Sequence, residues 1–178
     1  MSEDTSAQVK VVPYDWRWPA RFEEEKVLIQ AALSPWLVEE IQHVGSTAVV
    51  GLAAKPVIDM MAPVASLQES QAAIAVAGRL GYLHYPYRAE VMHWFCKPSP
   101  EVRTHHLHLI PFQSQLWFER LAFRDALRSS PALVREYAKL KRRLAVQFRD
   151  DREAYTQAKA PFVQRVLANV GAQRHSAT

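Results

Sequence analysis

The stretch His43-Val-Gly-Ser-Thr-Ala-Val-Val-Gly-Leu-Ala-Ala-Lys-Pro-Val-Ile-Asp59 decides the fold. It reads as a strand end, a Gly-Ser turn, a short helical segment, a lysine, and a second strand that ends in a carboxylate. The chain has five glycines, and Gly45 and Gly51 both fall here, where backbone turns sharply or comes close to a ligand. Ser46 adds a hydroxyl and backbone N–H groups at a helix start, where anions bind readily. Such a stretch can grip a triphosphate and its metal. A strand-to-helix turn with an N-cap serine is the plain alternative, and spacing alone leaves both open.

Working upstream, Val9 to Val12 fits a short edge strand. Tyr14 to Pro19 is an aromatic entry, with Pro19 suited to a helix's first turn. Phe22, Ile29 and Leu33 recur at helical spacing until Ser34-Pro35 stops the helix. Leu37 to Val44 reads as the first strand. Downstream, Pro56 to Val64 is a nearly continuous apolar run, the mark of a buried central strand. Ser66-Leu-Gln-Glu69 has the capping-box pattern and opens a helix that closes at Gly81. Tyr82–Tyr87, Met92–Lys97 and Thr104–Phe112 read as strands, with a hairpin loop at 98–103.

From about residue 114 the pattern is helical. Ser114 caps a helix to about Arg128, and Ser129-Ser130-Pro131 breaks it. Leu133, Tyr137, Leu140, Leu144 and Phe148 line one face of the next helix. A last helix spans about Asp151 to Val170, with Pro161 predicting a kink or break. The expected class is α+β (mixed α/β): a sheet core with flanking helices and a helical C-terminal section. Residues 9–172 form a single domain between flexible ends at 1–8 and 173–178.

Composition bounds the function. The chain has 178 residues, 49% of them apolar, and a net charge of 22 minus 18, or +4. That size supports one core. The mild basicity favours anionic partners without singling out nucleic acid. Lys139, Lys141, Arg142 and Arg143 read as a solvated helix face, and nucleic acid is not an expected partner. Cys96 stands alone, so no intrachain disulfide forms. No apolar run spans a bilayer, and Met1 to Val9 lacks a signal-peptide core. The reading is a soluble cytoplasmic protein without membrane association.

Three groups of residues carry possible chemistry. Asp59 lies on a buried strand, and a buried carboxylate needs a partner or a metal; Lys55, four residues earlier, is the simplest partner. A two-metal carboxylate site wants a second acid two residues on, on the same strand face. That position holds Met61, which argues against ordinary nucleotidyl transfer. His106 and His108 share one strand face, and His-x-His suits one metal ion; a polar strand face is the alternative. His105 points the other way. His43 and His93 read as structural histidines. Arg88, Lys97 and Arg103 are cations in or between the later strands, able to face a triphosphate. Arg124 and Asp125 read as a local surface pair.

Together, Tyr14–Phe22, His43–Asp59, Gly81-Tyr82, Thr104–His108, Leu121–Asp125 and Tyr155–Lys159 resemble the GrpB family, part of the nucleotidyltransferase-like superfamily, over roughly residues 9–170. Val50 stands where that family usually has proline. The resemblance implies a minimal nucleotidyltransferase-type sheet core. By analogy Asp59 is the catalytic and first metal carboxylate. Gly45 and Ser46 cradle phosphates, and His106 or His108 takes the place of a further carboxylate. Lys55, Arg88, Lys97 and Lys159 are then the expected nucleotide-binding cations, and Asp59, His106 and His108 the metal ligands. Mg2+ or Mn2+ is expected ahead of Zn2+. The implied partner is a nucleoside triphosphate or another phosphorylated small molecule. Two further readings stay open: a nucleotide or coenzyme A binding module without turnover, and a metal-dependent hydrolase built on His106, His108 and Asp59.

Overall fold

A computed structural model describes residues 8–176, with side chains described through residue 172. Of the ends expected to be flexible, 1–8 and 173–178, residues 1–7 and 177–178 lie outside the described residues, and 173–176 are helical. The helix α1 (Trp18–Leu33) comes first, then β1 (Gln42–Val44), a single 3-10 turn at Ser46–Ala48, and β2 (Ile58–Val64). Next come α2 (Ala73–Arg79), β3 (Leu83–Tyr85), β4 (His93–Pro98) and β5 (Arg103–Pro111). The C-terminal section is helical: α3 (Gln115–Ser129), α4 (Pro131–Gln147), α5 (Arg152–Gln157) and α6 (Ala160–Ser176). This is the expected mixed α+β order, and α6 continues past the expected domain end at 172.

The strands form one sheet in the order β1-β2-β5-β4-β3. Only β2 and β5 run parallel; the other neighbours are antiparallel. Alternation along β2 sorts its side chains between two layers. Ile58, Met60, Ala62 and Val64 join Leu107, Leu109 and Phe95 under Trp18, Phe22, Ile29 and Leu33 of α1 and Ala73 and Ala77 of α2. The opposite face carries Asp59, then Met61, which packs with Trp94, Cys96, Ile110 and, from α3, Leu116 and Trp117. The C-terminal helices add a third cluster with Val49, Leu52 and Ala53 of the loop before β2.

Several boundaries differ from the sequence reading, each for a local reason. The strand expected at 37–44 is interrupted. Leu37 bridges Val64 and β1 pairs with β2, but exposed Glu39 and Glu40 lie between them, with Glu40 bound to Lys26. Val9–Val12 gives only a bridge from Val12 to Ala54. Ser66 does accept the N–H of Glu69 at 3.1 Å, yet regular helix begins only at Ala73. Gly81 ends it as expected: φ is +84°, and the N–H groups of Gly81 and Tyr82 reach the carbonyls of Gly78 and Ala77, the bonding of a left-handed helix cap. Ser114, Ser130 and Asp151 each cap a helix. Pro161 produces the break, because α5 stops at Gln157 and the proline falls in the first turn of α6.

Candidate metal and anion site

Asp59 stands near the start of β2 rather than at a strand's end. It pairs with Val44 of β1 on one side and His106 of β5 on the other. Side chains in register on adjacent strands share a face, so the β2–β5 pairing sets Asp59 beside His106 and Met61 beside His108. The Asp59 Oδ1 lies 2.9 Å from His106 Nδ1 and 3.5 Å from His108 Nε2. One ligand atom from each of the three residues falls within 4.8 Å of the others. Nitrogen and oxygen ligands about 2.0–2.2 Å from one ion fit that spacing, and two imidazoles plus a carboxylate make a recognised triad for a divalent metal.

Electrostatics favours the ligand-competent forms. Burial works against the Asp59 charge, but the neighbouring His106 and His108 outweigh it and hold the carboxyl well below its usual range. Burial, then the Arg120 guanidinium, pushes His108 down to about 3. Its ring is therefore neutral near pH 7, with a lone pair to give. His106 Nε2 and His108 Nδ1 are buried without hydrogen-bond partners. Trp94 walls the site, its ring 5.1 Å from that of His106.

Gly45 is what lets the turn close on Asp59. A Cβ there would lie 2.5 Å from Asp59 Oδ2, and the residue sits at φ +72°, ψ −171°. That conformation is essentially restricted to glycine. Ser46 follows, its side chain near enough to Tyr137 of α4 to oppose the upward push of burial on that hydroxyl. The expected short helix is only the three-residue turn Ser46–Ala48. Its Ala48 and Val49 N–H groups bond back to the Gly45 and Ser46 carbonyls. Thr47 turns inward: His43 Nε2 lies 3.0 Å from its hydroxyl, which donates to the Val57 carbonyl. His43 also stacks on Phe22, 4.6 Å between centroids. It is structural, as is His93, whose Nε2 bonds the Leu67 carbonyl.

Of the expected cations, the structure gathers Lys55 and Lys159 near Asp59. Burial lowers both ammonium groups, Lys159 to about 8, against the opposing pull of Asp59. Their Nζ atoms lie 5.4 and 4.5 Å from the Tyr155 ring centroid. Arg88 is exposed at the site's outer margin, in a loop at φ +50°, near enough to Arg120 to act on it electrostatically. Lys97 is not brought in. It points through the other face of β4, where Nζ meets buried Glu25 at 2.6 Å and lies over the Tyr82 ring. Parity explains this: Lys97 pairs with His105, not with His106 or His108. Arg103 bonds the Pro100 carbonyl and covers the Trp94 ring, holding the hairpin.

Arg120 is absent from the sequence reading, and Arg124 and Lys141 have roles other than those it gave them. Arg120 of α3 is pushed down to about 10 by burial despite the attraction of Asp59. Arg124 is no mere surface pair with Asp125; it also bonds Gln42 Oε1 and the His43 carbonyl and so docks α3 on β1. Lys141 is not on a solvated face. It is 2% exposed, its Nζ lies 4.7 Å from the Tyr137 ring centroid, and it has no hydrogen-bond partner. Its place on the stripe four residues after Tyr137 and three before Leu144 was a signal for this. Met61 is fully buried in the apolar layer, so packing fills the position where a second carboxylate was sought. A separate cavity of about 650 Å³ adjoins the same turn, lined by Tyr14, Phe22, His43, Thr47, Arg128 and Arg135 among others; the three candidate ligands do not line it. No described helix is long and apolar enough to cross a membrane.

Known proteins resemble this chain along nearly all of its length. The family described as "GrpB protein" matches residues 8–169. A UPF0157 protein of Pseudomonas aeruginosa is 38% identical over 94% of this chain and 70% of its own length. The "Glutamate-rich protein GrpB" of Alkalihalophilus pseudofirmus is 33% identical over 90% of this chain and 94% of its own. The crystal structure of the conserved protein GrpB from Enterococcus faecalis superposes with a TM-score of 0.84 at 30% identity, covering 93% of this chain and 99% of that one. With that match along nearly its full length, this chain belongs to the GrpB family.

Proposed function

We propose that this protein binds a divalent metal ion and a phosphorylated small molecule at the Asp59 face of its sheet, in the manner of a nucleotidyltransferase-like site. The convergence of Asp59, His106 and His108 on one point carries this reading. Two imidazoles in the set favour Mn2+ or Zn2+ over Mg2+, which prefers oxygen ligands and retains water. Bound there, the ion would polarise a phosphoryl oxygen or activate a water. The chain's own residues do the rest. Gly45 keeps room for the carboxylate, Trp94 limits solvent access to the rings, and Arg120, Lys55 and Lys159 supply positive charge for the ligand's oxygens.

Met61 favours a second reading, a binding module without turnover, because only one carboxylate serves the site. The two readings share the metal and part on product formation with a nucleoside triphosphate.

Calorimetry and metal analysis of the purified chain test the shared part. Stoichiometric Mn2+ or Zn2+ binding, lost in Asp59→Asn and His108→Ala while the circular dichroism spectrum stays unchanged, is expected. Full metal affinity in both folded variants would show that the triad holds no ion.

A further inference from the structure

The second cluster near Asp59 is a group of lysines with too little negative charge around it. Lys55, from the loop before β2, and Lys159, just before α6, both approach the Tyr155 ring. Lys141, on α4, lies against Tyr137 and is near enough to Lys159 for the two charges to act on each other. Among the described residues, no ion pair within 4 Å involves any of the three. Asp59 is the carboxylate that acts on Lys55 and Lys159, and His106 and His108 already engage it. Lys141 is the clearest sign of the imbalance, being buried with its Nζ unpartnered.

Folding a chain around such a group is costly. A buried ammonium needs a counter-charge or loses its proton, and apolar replacements at such positions are often neutral or stabilising. Lys141 is pushed down to about 6 by burial, with Lys159 and Arg142 adding to the effect. Ordinary core packing does not require a lysine there, since Tyr137 and Leu144 of the same helix already fill that layer. A multiply charged anion supplies the missing charge.

We infer that Lys55, Lys141 and Lys159, gathered around Tyr155 and Tyr137 beside Asp59, form the binding site for a diphosphate or triphosphate group. The inference rests on the reading that the Asp59 face takes a phosphorylated ligand, and it specifies which part of the ligand goes where. Lys55 and Lys159, partly exposed, meet the phosphate oxygens. Lys141 stands in the second rank: an anion beside the cluster favours its protonated form, and that charge then acts from a low-dielectric position more strongly than it does in water. The phosphate chain then runs from the lysines toward Asp59, where a metal held by the triad would share its oxygens. A single phosphate leaves part of the cluster uncompensated, so longer chains bind more tightly.

The test uses the full chain in the presence of a chelator, with inorganic phosphate, pyrophosphate and tripolyphosphate as probes and sulfate as the ionic-strength control. Thermal shift and calorimetry are the readouts. Pyrophosphate and tripolyphosphate are expected to raise the melting temperature well beyond sulfate. Lys141→Met should melt at or above the wild-type temperature without ligand, yet bind pyrophosphate about tenfold or more weakly. Lys159→Met should lose affinity similarly. Asp59→Asn should keep pyrophosphate binding while losing metal, so failure of this inference and failure of the metal reading are separable. A nucleoside triphosphate that binds more tightly than tripolyphosphate identifies a nucleotide as the source of the chain; equal binding identifies inorganic polyphosphate. No stabilisation beyond sulfate, or equal pyrophosphate affinity in the folded Lys141→Met variant, would overturn the inference.

Discussion

Replacing Gly45 by alanine separates two costs that the turn before Asp59 combines. The first is backbone: φ +72° with ψ −171° lies in a region that residues with a Cβ rarely enter, worth about 1–3 kcal/mol. The second is contact. The new Cβ would lie 2.5 Å from Asp59 Oδ2 and 3.1 Å from its Cβ and Cγ, so the carboxylate or the turn must move. Overpacking of this kind costs about 1–3 kcal/mol. The expected loss is therefore about 4 kcal/mol, or about 8–16 °C in melting temperature for a chain of this size. Metal affinity should fall with it, because the carboxylate that shifts also faces His106 and His108. Urea unfolding and calorimetry with Mn2+ or Zn2+ measure both effects. The double variant with Asp59→Ala removes the Oδ2 clash and keeps the backbone strain. The two changes should therefore be less than additive by about 1–2 kcal/mol. If Gly45→Ala matches the wild type in stability and metal affinity, or if the cycle shows no coupling, the packing account of Gly45 is wrong.

Acid should weaken the fold through His43, which burial holds down to about 4 from 6.5, against the attraction of Asp59. The unfolded ring takes up a proton below 6.5 and the folded ring does not until about 4, so stability is full above the higher value and falls as pH drops between them. That loss amounts to about 3 kcal/mol at most; urea unfolding of His43→Gln should show a shallower pH slope, and a slope equal to that of the wild type would count against this assignment. Lys97→Met removes the partner of buried Glu25 and should destabilise by about 3 kcal/mol while leaving metal and pyrophosphate affinities unchanged. A loss of either affinity without a loss of stability would return Lys97 to the site.

Much of this was legible in the chain. Helical spacing, serine caps and breakers fixed α1, α3 and α4, since those signals act within a few residues of the element they define. The parity of His106 and His108, with His105 and the leucines opposed, followed from strand alternation, as did the mismatch at Met61. The resemblance over residues 9–170 anticipated the family. Short-range signals served less well where pairing decides. The chain at 37–44 has strand composition, yet charged Glu39 and Glu40 break its ladder, and the capping pair Ser66–Glu69 forms without regular helix directly after it.

Sequence by itself determined which residues could bear chemistry and which face of each strand they occupied, because backbone alternation is local. Only tertiary structure decided which of those faces meet. Register between β2 and β5 placed Asp59 against His106, and the β4 register sent Lys97 through the sheet to Glu25. The packing of the C-terminal helices drew Lys159 in beside Lys55 at the Tyr155 ring, with Lys141 next to Lys159, from more than eighty residues away along the chain. Distances of that kind are set by how layers pack, a many-body outcome that no short stretch of sequence encodes.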